Sequence, residues 1–226
     1  MPVHLAAGFL LSVALACSAA AGAAPFAVQL GQDRLVVDTP AGFADSAGFG
    51  SPRLTDFAEQ LADASNRVLV LALADSDARR FGAGDQLELK RYLLAVTPRA
   101  TERDRLTPAQ FAVLVQNASR SVGTPPTGVT DFTKYLRDRP PEQAHLLLDL
   151  KREPQVLSVL QGTMVPQRGR FIDGAPLFRL STMTLALVGG KAIYLSAFSA
   201  FDSPADIEWI KTVSERWLED LQRLNK

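Results

Sequence analysis

The chain reads as an α+β protein: an antiparallel β-sheet with helices packed on its faces. Three observations predict this. Near the C-terminus, two runs rich in β-branched, aromatic and Leu residues flank Gly189-Gly190-Lys191, and an amphipathic helix follows. Three separate Ser/Thr-Pro pairs (Ser51-Pro52, Thr107-Pro108, Ser203-Pro204) each precede a stretch with helical apolar spacing. Val68 to Ala74 is a continuous apolar run of strand length, the pattern of a central strand covered on both faces.

The closing unit organises the rest. Phe178–Val188 and Ala192–Phe201 are the expected strands, with Gly189-Gly190-Lys191 as the turn. Ser203 stands where a cap belongs, Pro204 at the first helical position and Asp206 in the first turn, where an acid suits the positive helix end. Ile207, Ile210, Val213, Trp217, Leu221 and Leu224 then recur at spacings of three and four, one stripe that needs a surface to cover. The span Thr182 to Phe201 is apolar enough to imitate a membrane segment. The Gly-Gly-Lys at its midpoint and its Thr, Tyr and Ile content fit a buried hairpin instead.

From the N-terminus, Leu5–Ala16 is a short apolar run and Ala21-Gly22-Ala23 a small-x-small cleavage pattern. Residues 1–23 are therefore expected to be a secretory signal peptide, cut after Ala23, since cutting after Ala24 would leave Pro25 first. A dozen apolar residues fall short of the ~20 of a spanning helix. Residues 24–226 make one domain of about 200 residues, large enough to bury a core without disulfides. Cys17 is the only cysteine. Its setting, Ala14-Leu15-Ala16-Cys17-Ser18, partly matches a lipoprotein box, so a lipid anchor at Cys17 is the alternative to free export.

Within that domain, Phe26–Leu30 and Arg34–Asp38 read as strands around Gly31-Gln32-Asp33, and a Gly-rich loop runs from Pro40 to Gly50. A helix follows Pro52, with Leu54, Phe57, Ala58 and Leu61 on one face. Asp75–Gly84 is a polar excursion with one helical turn near Ala78–Phe81, and Leu87–Val96 is a strand with Tyr92, Leu94 and Val96 on one face. Thr107-Pro108-Ala109-Gln110 carries a capping box, and Phe111, Leu114, Val115, Ala118 and Val122 line the helix it opens. Residues 131–151 are a helical excursion broken at Pro140-Pro141, with Leu146–Leu148 either helical or starting a strand. Val156 through Phe171 returns to strand, with Asp173-Gly174 as a turn.

Composition excludes more chemistry than it offers. Twenty-four basic and 24 acidic side chains balance, so nothing marks a nucleic-acid footprint. With residues 1–23 removed the chain has no cysteine and one histidine, His145, so a Cys/His zinc site and a thiol nucleophile fall away. A Ser-His-Asp triad would have to use His145, yet no G-x-S-x-G elbow supplies the serine; a boundary histidine is the expectation. Asp75-Ser76-Asp77 and Asp85 imitate a calcium loop, but Arg79 and Arg80 stand where an oxygen ligand and the loop glycine belong, leaving a solvated turn. Gly48-Phe49-Gly50-Ser51 lacks the Gly-Lys-Ser/Thr of a phosphate loop. Asn117-Ala118-Ser119 is a sequon inside an expected helix, a poor acceptor of sugar. Trp209 lies off the last helix's stripe; with Arg216 it either belongs to a partner surface or packs on a neighbouring loop. No catalytic, cofactor-binding or metal-binding residues are assigned, and no cofactor is expected.

Two stretches resemble the PsbP-like and DcrB-like envelope proteins. One is Val36-Val37-Asp38-Thr39-Pro40-Ala41-Gly42-Phe43, similar to that family's early strand and Pro-x-Gly-aromatic turn; the other is the closing Gly-Gly-Lys hairpin with its Ser-capped helix. The resemblance implies an α/β/α sandwich and an accessory or binding role without a common active site. The functional expectation is a periplasmic, non-enzymatic binding or assembly accessory whose partner is another envelope protein or a small ligand. The alternatives are an envelope enzyme with a carboxylate-based site and a small-ligand carrier.

Overall fold

A computed structural model of the chain describes residues 24–166 and 176–226. The expected signal peptide, Cys17 and the turn expected at Asp173-Gly174 lie outside the described residues. In chain order come β1 (Phe26–Leu30), β2 (Asp33–Val37), β3 (Phe43–Asp45), α1 (Pro52–Leu61), β4 (Asn66–Ala74), α2 (Asp75–Gly82), β5 (Arg91–Pro98), α3 (Pro108–Val122), α4 (Phe132–Arg137), β6 (His145–Glu153), β7 (Val156–Val165), β8 (Leu177–Val188), β9 (Lys191–Ala200) and α5 (Pro204–Leu224). A one-turn 3-10 helix, Ser46–Phe49, separates β3 from α1. The fold is α+β. Seven strands make one antiparallel sheet in the order β3-β4-β5-β9-β8-β7-β6, and β1 and β2 pair as a separate hairpin.

Alternation along the strands assigns the two faces. Leu93, Ala95, Ile193, Leu195, Leu160 and Leu180 point to a core shared with α4, α5 and the β1–β2 hairpin. Tyr92, Leu94 and Val96 point the other way, against Leu54 and Ala58 of α1. On that second face, Leu157, Val159 and Leu185 meet Phe111 of α3. The helices thus cover both faces of the sheet. Leu146–Leu148, ambiguous in sequence, begin β6, where a register irregularity between Leu146 and Leu148 bends the edge strand.

The last helix runs as its stripe predicts, with Leu218 and Ser214 as additions. Ile210, Trp217, Leu218 and Leu221 are buried, each contributing roughly 2 kcal/mol of apolar burial. Ser214 is buried beside them because its hydroxyl lies 2.8 Å from that of Thr182. The Thr182 hydroxyl in turn accepts the Ala197 N–H at 3.0 Å, where the β8–β9 ladder skips two pairs. A polar residue inside an apolar stripe is thereby satisfied. At the N-terminus of α5 the Asp206 carboxylate reaches back to the Ser203 N–H at 2.9 Å.

The N-terminal hairpin lies on α5. Its Leu30, Leu35 and Val37 are buried, Asn225 accepts from the Val36 N–H (2.8 Å) and donates to the Val36 carbonyl (2.7 Å), and the Trp217 indole N–H donates to the Asp38 carbonyl at 2.8 Å.

Several local expectations are corrected. Gly31 and Gln32 alone make the first turn, and Asp33 already belongs to β2. Gly31 has φ +62°, and a Cβ there would stand 2.8 Å from the Arg103 Cα. The helical turn expected near Ala78–Phe81 is part of a longer helix, α2, and the strand expected from Leu87 begins only at Arg91. Ser51 precedes α1 without a side-chain cap bond. Thr182–Phe201 forms most of β8 and β9, and among the described residues no helix is long and apolar enough to cross a membrane.

Candidate functional site

The turn Pro40-Ala41-Gly42-Phe43 closes with the Phe43 N–H on the Pro40 carbonyl (3.1 Å), and Gly42 takes φ +87°. That φ is what the third residue of a type II turn requires. Two further bonds pin the turn: Asp75 N–H to the Gly42 carbonyl at 2.9 Å, and the Thr39 hydroxyl to the Phe43 carbonyl at 3.1 Å. Opposite stands the outer side of α5. Between turn and helix runs an open groove of about 490 Å³, lined by Pro40, Ala41, Phe43, Trp209, Val213 and Arg216, with Glu208, Thr212 and Asp220 along its rim.

Trp209 is half-buried. Its ring tilts against Phe43 (centroids 6.2 Å apart), and the Arg91 guanidinium stacks 4.2 Å from its centroid. Trp209 therefore does pack on the neighbouring loop, and it lines one groove together with Arg216. Glu208 pairs with Lys211 (3.0 Å) and Asp220 with Arg223 (2.7 Å), whereas Arg216 is exposed and makes no ion pair among the described residues.

Arg91 also lines a second, polar cleft of about 330 Å³ beyond Trp209, with Ser76, Asp77, Arg80, Glu88, Lys90, Ser199, Asp202 and Asp206. Its charges are mostly spent on one another. Arg91 bonds Asp206 at 2.9 Å, and Glu88 takes Arg80 at 2.9 Å and Lys90 at 3.5 Å. Burial pushes the Asp206 carboxyl up, but the Arg91 hydrogen bond, the Ser203 and Asp202 N–H groups and the Arg91 charge outweigh it, so the group titrates below its ordinary value.

Asp77, read from sequence as part of a solvated turn, is 3% exposed. Its carboxylate accepts the N–H groups of Glu88 (2.8 Å) and Leu89 (3.1 Å), holding a loop in which Leu89 takes φ +51°. Those two N–H groups would otherwise lack partners, which is why an acid is tolerated there. Asp75 opens α2, and Asp85 lines a different cleft beside Phe57 and Phe81. Among the described residues no three His, Cys, Asp or Glu side chains converge as a metal centre would need.

His145 starts β6 with Nε2 3.0 Å from the Pro140 carbonyl, a boundary position. Gly48, Phe49 and Gly50 belong to the 3-10 turn and its end, where Phe49 meets Phe81 edge-on at 5.9 Å. Asn117 is exposed in the middle of α3.

At the opposite end of the β5–β9 pair lies a buried cation that the sequence reading treated as a turn residue. Lys191 is 1% exposed. Its ammonium donates to the carbonyls of Glu102 (3.1 Å) and Asp104 (2.8 Å) and to Asp33 at 3.0 Å, while Arg105 bonds the other Asp33 oxygen at 3.0 Å. The Lys191 hydrogen bond, against some burial and with help from the Lys191 and Arg105 charges, holds the Asp33 carboxyl below its ordinary value. Arg67 pairs with Glu102 and donates to the Gln29 carbonyl, joining the hairpin to the same knot. Only the length of the chain between Asp33 and Lys191 hid this pairing; a lysine directly after Gly-Gly is otherwise a common turn flank.

Comparison of the chain with protein-family models finds no match, and comparison with curated proteins finds none either.

Proposed function

We propose that the chain is an exported, periplasmic accessory protein without a catalytic role, docking another envelope protein in the groove between the Pro40–Phe43 turn and α5. The observation that carries this reading is the half-buried Trp209, held by Phe43 and Arg91 on the wall of an open apolar groove beside Arg216, which has no ion pair among the described residues. Trp and Arg are the residues in which binding energy concentrates. Both walls are fixed by backbone bonds before any partner arrives, which lowers the ordering cost of association. The likeness to PsbP-like and DcrB-like proteins belongs to this same proposal. It rests on the Val36–Phe43 stretch, whose turn builds one wall, and on the closing hairpin and helix, of which the helix builds the other.

The alternatives have less behind them. A carboxylate enzyme calls for converging acids with raised pKa values, and in the polar cleft Asp206 is shifted down. A ligand carrier calls for a well-formed apolar pocket between sheet and helix; the cleft between α5 and the β6–β7 side of the sheet, near Ser158 and Ser214, holds about 140 Å³, and the larger groove and polar cleft are open.

The test is capture from envelope extracts with the wild-type chain, the Trp209→Ala variant and a Val113→Ala variant on the far helix α3. A partner held by the wild type and by Val113→Ala, and lost with Trp209→Ala, supports the reading. Equal retention by all three, or turnover of a test substrate without any partner, overturns it.

A further inference from the structure

Taking the groove as the docking face proposed above, we infer that its occupant is an extended peptide segment bearing one large apolar side chain and, about three residues along, a carboxylate. The floor fixes the first half. Phe43, Trp209 and Val213 present aromatic and β-branched surface, and about 490 Å³ of open volume admits a Phe- or Leu-sized side chain.

Charge complementarity fixes the second half. Five charged side chains stand at or behind the groove, and four have partners: Glu208 with Lys211, Asp220 with Arg223, and Arg91 with Asp206, which lies behind Trp209. The fifth, Arg216, keeps its fork of donors free among the described residues, and a carboxylate is the acceptor that such a fork matches in two parallel bonds. A basic segment would meet Arg216 as like charge and find Glu208 and Asp220 already neutralised. Spacing fixes the separation. Trp209 and Arg216 are seven residues apart on α5, about 10 Å along the axis at ~1.5 Å per residue. An extended chain covers that distance in about three residues at ~3.3 Å each.

The experiment uses the full chain with uniform nitrogen-15 label and three capped synthetic hexapeptides: Gly-Phe-Ser-Ser-Asp-Gly, the same with Lys for Asp, and the same with Ala for Phe. The Trp209 indole N–H resonance is followed in titrations. It should shift with the first peptide, about fivefold more weakly in affinity with the Lys version, as a rim ion pair allows, and negligibly with the Ala version. Arg216→Glu, an exposed substitution that leaves the core untouched, should reverse the order of the Asp and Lys peptides. Equal affinities for Asp and Lys peptides, no change of order in Arg216→Glu, or no Trp209 shift with any peptide each overturn the inference. A partner captured through Trp209 alongside any of those results would leave the docking face standing and refute only the chemistry assigned to its occupant.

Discussion

The two ends of the β5–β9 strand pair use similar charged side chains in opposite ways. Where β9 begins, Lys191 is sealed at 1% exposure, and its three donors meet three acceptors on the N-terminal hairpin and the loop after β5. Where β9 ends, Arg91 is 39% exposed at its side chain, with one carboxylate on one side and an aromatic face on the other. A cation with every donor satisfied inside the protein stabilises and binds nothing further. A cation that stiffens a tryptophan at the lip of an open groove costs little stability and shapes a surface. The difference teaches where to look for function in a chain that carries no recognisable active-site motif. Charge that is buried and complete belongs to the fold, and charge that is exposed and without an ion pair among the described residues, such as Arg216, is where the proposed docking face lies.

That contrast is broken most directly by paired substitutions. Lys191→Met removes the only ammonium in the sealed knot and leaves the Asp33 carboxylate and two carbonyls short of a donor; denaturant unfolding should show a loss of roughly 3 kcal/mol. Arg91→Met, at the open end, should cost about 1 kcal/mol by the same measurement. Equal losses would erase the distinction. Next in size is Gly31→Ala. It forces an L side chain into φ +62° and sets its Cβ against the Arg103 backbone, and it should cost about 2 kcal/mol by lowering the unfolding midpoint.

The smallest effect is a pH dependence. Because Asp33 titrates lower in the folded chain than its ordinary 3.8, the unfolded chain binds the extra proton as the medium is acidified. Its contribution is fully present above pH 3.8 and fades as pH falls through the folded value. Asp33→Asn should flatten that acid limb of the stability profile in a urea-midpoint series, and an unchanged limb would show that the knot is not what acid attacks.

How much of this was legible beforehand follows the range of each interaction. The closing hairpin and helix were readable because Gly-Gly, Ser-Pro and the three-and-four spacing are local signals. The capping box at Thr107 was readable for the same reason, and the Thr107 N–H does meet Gln110 at 2.9 Å. Asp77, expected in a solvated turn, and Lys191, expected only as a turn residue, are each buried by partners that propensity does not see: the loop at Glu88–Leu89 for one, and Asp33, 158 positions away, for the other. The burial of Ser214 is likewise set at long range, by the hydroxyl of Thr182. Trp209 and Arg216 could be paired on one helix side by spacing alone. The wall that makes a groove of them, Pro40 to Phe43, arrives from the other end of the chain.

The central claim is that the open end, not α3 or the sealed knot, is the face that meets a partner. Site-specific photocrosslinking in the native host tests it most directly, with the reactive group placed at the exposed groove residue Thr212 in one strain and at the exposed α3 residue Asn117 in another. The account predicts a discrete protein adduct from position 212 that disappears on adding Trp209→Ala, and none from position 117. An adduct from 117 alone, or one from 212 indifferent to Trp209, would contradict it.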